Sequence, residues 1–134
     1  MTCPCFSKRD YAACCEPFHK GTPAPTCEQL MRSRYSAFSL GLAGYLRKTQ
    51  LEELGPLPQG RRFTGLTIVE ARKDEVLFIA GLEERGRDVS FAELSRFVKQ
   101  HGEWKYADGL TLPASQLPVV LTRETFQEAA RCLS

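Results

Sequence analysis

The sequence predicts an α+β protein with a small metal-binding segment at its N-terminus. Four of its six cysteines lie among the first 15 residues, and a helical pattern of apolar residues follows a linker that contains two prolines. Segments rich in β-branched and aromatic residues, separated by turn residues, fill most of the second half. With 134 residues, of which 43% are hydrophobic and 25% charged, the chain can bury one core without cross-links.

The N-terminal cysteines form two pairs, Cys3-Pro4-Cys5 and Cys14-Cys15, with eight residues between the pairs. Neighbouring cysteines rarely join each other, because a disulfide requires a specific Cα separation and Cβ direction. Four thiolates from one short segment suit a tetrahedral zinc ion, and an iron–sulfur cluster is the alternative. Since four protein ligands leave no position for water, Cys3, Cys5, Cys14 and Cys15 predict one zinc ion with a structural role.

Three further residues of metal-binding type are expected outside this site. His19 is expected just beyond the ligands, and Cys27 and Cys132 are expected to be buried small hydrophobic residues. No apolar leader follows Met1, so we expect a cytoplasmic protein, in a compartment that keeps thiols reduced.

The spacing of the cysteines resembles the SEC-C motif, a short zinc module found in the preprotein translocase ATPase and in many other bacterial proteins. That motif usually reads C-x-C-G-S-G-K-K-Y-K-K-C-C, and here the stretch from Cys5 reads C-F-S-K-R-D-Y-A-A-C-C. Phe6 and Lys8 stand where the motif often has glycine, which places the tight turn after Cys5 in question. The resemblance implies that residues 1–22 form a zinc-binding SEC-C motif, which in the translocase ATPase docks a chaperone.

A helix is predicted after the linker at 21–25, because two prolines there favour extended backbone. Thr26 is a good N-cap, and Gln29 three residues later completes a capping box. Apolar residues then recur at helical spacing at Leu30, Met31, Tyr35, Phe38 and Leu42. We expect glycines 41 and 44 to break the helix.

Three or four strands are predicted after a loop at 51–62 that is rich in glycine and proline. The β-rich segments are 63–71, 76–82 and 89–99, followed by a hairpin into the aromatic stretch 104–106. The segment 89–99 also fits a helix, and we assign it as a strand because a turn and a second β-rich stretch follow it. A short helix is predicted over 123–133.

Longer stretches resemble the YchJ-like family of uncharacterised bacterial proteins. These stretches are Leu30-Met31-Arg32-Ser33-Arg34-Tyr35-Ser36-Ala37-Phe38, Gly65-Leu66-Thr67, Glu93-Leu94-Ser95-Arg96-Phe97 and 102–109. The family joins a SEC-C motif to a cystatin-like domain similar to nuclear transport factor 2, in which helices pack on a curved antiparallel sheet. The resemblance therefore implies that residues 23–134 form such a cone, whose concave sheet face often makes a ligand pocket. Gln50 stands where family members usually have tryptophan, and the second SEC-C motif of many members is not found in this sequence.

One face of the predicted hairpin mixes aromatic and acidic residues. A turn at 101–102 pairs Lys99 with Trp104, and counting back places Ser95 opposite Asp108, with side chains alternating between faces. Our candidates for a pocket are Arg34, Tyr35, Glu93, Phe97, Trp104, Tyr106 and Asp108. A partly buried carboxylate there could exchange protons with a substrate. The alternative, which we favour, is that the aromatic residues form core while Glu93 and Asp108 are solvated or pair with Arg32, Arg34 or Arg96, and such a pair makes a carboxylate a poor base.

The composition excludes several function classes. The net charge of +2 disfavours nucleic-acid binding, and no apolar run reaches the ~20 residues of a membrane span. The sequence contains no P-loop, dinucleotide-binding or zinc-protease motif, so enzymatic activity is the weaker expectation. We expect a zinc-binding interaction module, in which the SEC-C motif presents a surface to another protein. The alternative is small-molecule binding or catalysis in the cone pocket.

Overall fold

The computed structural model describes residues 1–133, in which helices pack against both faces of a curved antiparallel sheet. The helices are α1 (Glu16–His19), α2 (Cys27–Leu40), α3 (Ala43–Lys48) and α4 (Arg123–Leu133), with short 3-10 turns at Tyr11–Ala13 and Ala114–Gln116. The strands are β1 (Arg61–Ala71), β2 (Glu75–Glu84), β3 (Arg87–Asp88), β4 (Phe91–Gln100) and β5 (Glu103–Pro113). Within this described range, no helix is long and apolar enough to cross a membrane.

Helix α2 begins and ends where its sequence predicts. The Thr26 hydroxyl accepts a hydrogen bond from the Gln29 backbone N–H at 3.2 Å and donates to the Gln29 side-chain oxygen at 3.0 Å. At the other end, Gly41 has a φ of 72°, and its N–H bonds the carbonyl of Phe38. The next N–H, of Leu42, bonds the carbonyl of Ala37 at 2.9 Å, so the helix closes with a Schellman motif. Gly44 does not break a helix and lies within α3 instead.

The sheet has the strand order β1-β2-β4-β5, with β3 paired to the end of β2. Most of the ambiguous segment 89–99 is strand β4, as predicted. The two residues that follow this strand adopt the backbone conformation of a tight hairpin turn. His101 and Gly102 both have positive φ, 53° and 81°, which suits a two-residue turn matched to the twist of the strands. The predicted pairing of Lys99 with Trp104 is confirmed.

The predicted pairing of Ser95 with Asp108 is wrong, because a β-bulge interrupts the hairpin. Phe97 pairs with Tyr106 but Arg96 pairs with Asp108, which leaves Ala107 as one extra residue on β5. Beyond the bulge Ser95 faces Gly109. An extra residue reverses the alternation of side chains, so Asp108 leaves the face that carries Tyr106.

Two apolar clusters lie on opposite faces of the sheet. The inner cluster packs α2 onto the concave face and includes Leu30, Met31, Tyr35, Val76, Phe78 and Phe97. The outer cluster packs α4 onto the convex face and includes Leu77, Leu94, Leu112 and Phe126. Cys27 is buried in the inner cluster as expected, whereas Cys132 is exposed and the prediction of its burial is wrong.

Candidate functional site

The four N-terminal cysteines converge on one point. The sulfur atoms of Cys3, Cys5, Cys14 and Cys15 all lie within 4.8 Å of one another. Cys5 Sγ is 3.6 Å from Cys14 Sγ, which is 4.0 Å from Cys15 Sγ. Three of the four side chains are buried, and Cys14 is half-buried. Four soft ligand atoms at this separation could hold a metal ion.

The turn after Cys5 forms without glycine. Phe6 and Lys8 both adopt left-handed backbone, with φ of 62° and 70°, a conformation that glycine adopts at lower cost. The Cys3 N–H bonds the Arg9 carbonyl at 2.8 Å and closes the loop around this turn. Phe6 and Lys8 therefore adopt the left-handed conformation that glycine takes at lower cost, and the four cysteines still converge.

The thiols of the cluster differ in how readily they lose their protons. Hydrogen bonding from Cys15 lowers the pKa of Cys5 to about 4, so one thiolate is stabilised by its neighbours. Burial raises the pKa of Cys3 to about 11, and the bond to Cys5 together with burial also raises the pKa of Cys15. Four thiolates in so small a buried volume would repel one another unless a cation lay between them.

The cysteine segment is attached to helix α2 through polar contacts. His19 Nδ1 lies 2.6 Å from the Tyr11 hydroxyl, and His19 Nε2 lies 2.8 Å from the Ser33 carbonyl oxygen. A carbonyl only accepts, so Nε2 carries the proton and Nδ1 accepts from Tyr11. Burial lowers the pKa of His19, in keeping with this neutral form. Arg32 Nη1 donates to the Cys5 carbonyl at 3.4 Å, so the segment contacts α2 at two places.

A cavity of about 270 Å³ lies between α2 and the concave face of the sheet. Its walls are mostly apolar, and five phenylalanines from α2 and from three strands contribute to them: Phe38, Phe63, Phe78, Phe91 and Phe97. The polar residues that line it are Arg34, Gln50, Arg61, Glu93 and Ser95. Apolar walls with a few convergent polar groups are typical of small-molecule sites.

Glu93 is the carboxylate of this cavity. Its Oε2 accepts hydrogen bonds from the Tyr106 hydroxyl at 2.9 Å and from the Ser95 hydroxyl, while its Oε1 has no partner among residues 1–133. Burial raises the pKa of Glu93, although both hydroxyls and the nearby Arg34 oppose that rise. Gly109 makes room for the side chain, because a Cβ there would lie 2.7 Å from Glu93 Cδ.

Arg34 is the cation of the cavity, and only 7% of its surface is exposed. Its Nη1 donates to the Leu46 carbonyl at 3.1 Å and to Thr49 Oγ1 at 2.8 Å, and its Nη2 donates to Gln50 Oε1 at 2.7 Å. Burial lowers the pKa of Arg34 to about 10. Its guanidinium carbon lies 5.0 Å from the centre of the Tyr106 ring.

The predicted ion pair between Arg34 and a carboxylate is absent from the described residues, where Arg34 contacts neutral acceptors. Tyr106 accounts for the difference, since its ring meets Arg34 and its hydroxyl meets Glu93. Gln50 accepts through its side-chain oxygen the Arg34 hydrogen bond that a carboxylate would otherwise accept. It is positioned by a parallel bridge to Tyr106, which adds residues 49–51 to the edge of β5.

Two of the predicted pocket residues do not line the cavity. Asp108 lies exposed on the outer face and pairs with Arg96 at 2.8 Å, which lowers its pKa. Trp104 packs against the inner cluster outside the cavity and donates its indole N–H to the Pro25 carbonyl at 3.3 Å. The structure places the other five candidates, Arg34, Tyr35, Glu93, Phe97 and Tyr106, around the cavity.

Sequence reasoning missed two residues that shape the site, Gln50 and Gly109. In the sequence, Gln50 stands out only as a departure from a family pattern. Nothing in the sequence indicates that its amide oxygen accepts a hydrogen bond from Arg34. Gly109 follows an acidic residue in a strand, and an isolated glycine inside a strand is a known sign of close approach by another group. That signal was available in the sequence.

Comparison with known proteins places this geometry in a family. The model of the protein family described as "YchJ, middle NTF2-like domain" matches residues 26–109 of this chain. A UPF0225 protein of Deinococcus radiodurans is 47% identical over 112 residues, covering 79% of this chain and 86% of the relative. A UPF0225 protein of Streptomyces coelicolor is 42% identical over 115 residues, covering 80% and 93%. No solved structure matches the chain. The chain therefore belongs to the bacterial YchJ-like family, in which a middle domain similar to nuclear transport factor 2 forms the cone described above.

Proposed function

We propose that this protein binds a small, largely apolar molecule in the cone, and that a structural zinc ion holds the N-terminal segment against it. The observation that carries the proposal is the cavity of about 270 Å³, which combines aromatic walls with Arg34 and Glu93. Ligand pockets usually measure about 300–1,000 Å³. This cavity lies just below that range, so the ligand is small.

The polar groups of the cavity are held ready for a ligand. Tyr106 and Ser95 fix one oxygen of Glu93 and leave the other free to accept a hydrogen bond. Because burial raises the pKa of Glu93, the same oxygen could also take a proton from a bound molecule. Binding is the proposal, and proton transfer by Glu93 is the catalytic step that this arrangement would allow.

The donor set of the cysteine cluster supports zinc. A tetrahedral ion with Zn–S bonds of about 2.3 Å keeps its sulfur atoms about 3.8 Å apart. Two of the six sulfur–sulfur distances, 3.6 Å and 4.0 Å, lie on either side of that value, and all six are within 4.8 Å. A two-iron cluster spreads its two pairs of ligands farther apart. We propose that residues 1–22 are the zinc-bound unit and that residues 23–134 are the cone, with all cysteines reduced in the cytoplasm.

A docking role of the zinc motif toward another protein stays a prediction. Phe6 in the cysteine loop is 44% exposed and Met1 is exposed as well, and these two apolar side chains support it. The cavity supports the ligand-binding function by more observations, and we rank that function first.

Binding can be tested by titrating three neutral aromatic amides into ¹⁵N-labelled protein: phenylacetamide, 3-phenylpropionamide and 4-phenylbutyramide. We expect at least one to give saturable resonance shifts confined to residues around the cavity. Ala80 lines the cavity and Ala71 is exposed on the same sheet, so Ala80→Leu should weaken binding and Ala71→Leu should not. If shifts fall outside the cavity and ignore Ala80→Leu, or if neither these amides nor charged compounds of the same shape give saturable shifts, the proposal is wrong.

A further inference from the structure

Arg34 is a buried cation that lacks an anion. All of its hydrogen-bond partners in residues 1–133 are neutral oxygens, of Leu46, Thr49 and Gln50. Removing a guanidinium from water is costly, and neutral acceptors offset the cost less well than a carboxylate does. A site of this kind is stabilised further when an anion enters.

Two N–H groups of Arg34 are available for such an anion. The guanidinium has five N–H donors, and the bonds to Leu46, Thr49 and Gln50 use three of them. The Nε–H and one Nη2 hydrogen have no acceptor in the part of the chain that is described. No fully buried side-chain nitrogen there lacks a partner, so Nε keeps some accessible surface, and we infer that this surface faces the cavity that Arg34 lines.

We propose that the ligand is a small monocarboxylate with an aromatic or similarly flat apolar body, and that Arg34 anchors its carboxylate. This inference rests on the ligand-binding function proposed above and names its substrate class. Two N–H groups of one guanidinium match the two oxygens of a carboxylate in a fork. The phenylalanines around the cavity then receive the body of the ligand.

The charge of the cavity favours one negative charge over two. Arg61 also lines the cavity, but its Nε lies 3.9 Å from Glu84 Oε2 and its charge is already matched. Arg34 is therefore the cation of the cavity that has no carboxylate within hydrogen-bond distance in the described chain, although Glu93 is close enough to interact with its charge. A dianionic phosphate would leave one charge unmatched in an apolar site.

The opposite assignment, a cationic ligand bound at Glu93, agrees less well with the contacts. Glu93 already accepts two hydrogen bonds, whereas none of the hydrogen-bond partners of Arg34 in the described chain is an anion. The carboxylate of the ligand and that of Glu93 would contact opposite ends of Tyr106, whose ring lies beside Arg34 and whose hydroxyl meets Glu93. Burial favours the neutral form of Glu93, which reduces repulsion of an anion.

The test compares three compounds of the same shape at pH 7 by calorimetry: 3-phenylpropionate, its neutral amide and 3-phenylpropylamine. We expect the carboxylate to bind about tenfold more tightly than the amide, as a charge-assisted hydrogen-bond pair would give. The amine should bind more weakly than both. If the amide equals the carboxylate, or if the amine binds most tightly, the inference is wrong while the binding function stands. If none of the three binds, both are wrong.

Variants locate the preference within the cavity. Arg34→Gln should abolish the difference between carboxylate and amide, and Arg34→Lys should keep part of it because the charge remains. Arg61→Gln is the matched control, an arginine that lines the same cavity but is paired with Glu84, and it should leave the preference unchanged. A preference that disappears in Arg61→Gln and survives in Arg34→Lys at full strength would overturn the assignment. If Arg34→Gln fails to fold, the wild-type comparison and the other two variants still decide.

Discussion

Gly109 lies directly against the carboxylate of Glu93, so closely that a Cβ on Gly109 would fall 2.7 Å from Glu93 Cδ. The two residues lie on neighbouring strands, and the bulge at Ala107 brings Gly109 rather than Asp108 to the cavity face. Because Gly109 has no side chain, the Glu93 carboxylate has room to lie beside Tyr106 and Ser95.

Gly109→Ala should displace the Glu93 carboxylate and destabilise the fold by about 1–3 kcal/mol, the usual cost of overpacking. Urea denaturation followed by circular dichroism would measure the change in the free energy of unfolding. Gly65→Ala is the matched control, because a Cβ on that strand glycine would meet nothing within 4 Å.

A double-mutant cycle identifies Glu93 as the cause. In a Glu93→Ala background the clashing atoms are gone, so Gly109→Ala should cost less than about 1 kcal/mol. Equal costs in both backgrounds would mean that Gly109 is required for a reason other than the carboxylate.

The raised pKa of Glu93 predicts that its contribution to the stability of the fold decreases as pH rises. Burial raises this pKa above 4.5 in the folded protein, so the folded state holds its proton more strongly than the unfolded state does. The stabilising contribution of the protonated carboxyl is present below about pH 4.5 and is lost as pH rises through the folded pKa. Relative to Glu93→Gln, the wild type should therefore lose stability as pH rises above about 4.5, as measured by urea denaturation at several pH values.

Asp108 supplies the control of opposite sign. Arg96 lowers the pKa of Asp108, so its contribution is present above the ordinary value of 3.8 and is lost as pH falls. Asp108→Asn should therefore cost a small amount of stability above about pH 4 and none at lower pH, and the cost is small because the pair is exposed and screened by solvent. A flat difference between wild type and Glu93→Gln over pH 4–7 would place Glu93 in a solvated environment.

The parts that could be predicted from the sequence are those that depend on neighbours in the chain. The caps of α2 depend on Thr26 and Gly41, and the hairpin turn depends on His101 and Gly102, all of which act within a few residues. The four cysteines likewise meet within one 15-residue segment. Their convergence needs no knowledge of the rest of the fold.

The parts that could not be predicted depend on distant backbone. The bulge that sends Asp108 outward adjoins Phe97, whose N–H bonds the Asp74 carbonyl at 2.8 Å and so continues the pairing of β4 with β2 on the other side. The sequence predicts that Arg34 pairs with a carboxylate, but Arg34 donates to the Leu46 carbonyl at the end of α3 and to the Gln50 side chain. These groups come within reach only after α3 packs along α2. No periodicity in the sequence reports either contact.

Metal removal should affect the N-terminal segment far more than the cone. We expect about one zinc per chain and its loss in Cys14→Ser/Cys15→Ser, with Cys132→Ser as the control, because that cysteine is exposed and outside the cluster. A segment this small folds only with its metal. The cone has two apolar clusters of its own and should keep its thermal transition, with a loss of at most about 1–2 kcal/mol from contacts such as Leu66 with the cysteines.

Elemental analysis and calorimetry would measure both parts of that prediction. Iron in place of zinc, or collapse of the whole fold in the double variant, would contradict it.

The backbone of Lys8 carries a strain that can be removed. With a φ of 70° its side chain raises the energy of the left-handed conformation by about 1–2 kcal/mol, and a glycine there carries no such cost. Glycine also gains freedom in the unfolded segment, which cancels part of the benefit. Lys8→Gly should therefore tighten zinc binding by up to about fivefold, roughly 1 kcal/mol. Competition with a chelator at fixed pH would measure the affinity. Lys8→Ala removes the same charge but keeps a Cβ, so it should give no gain, and equal affinity in both variants would show that the charge of Lys8, and not its backbone, controls the site.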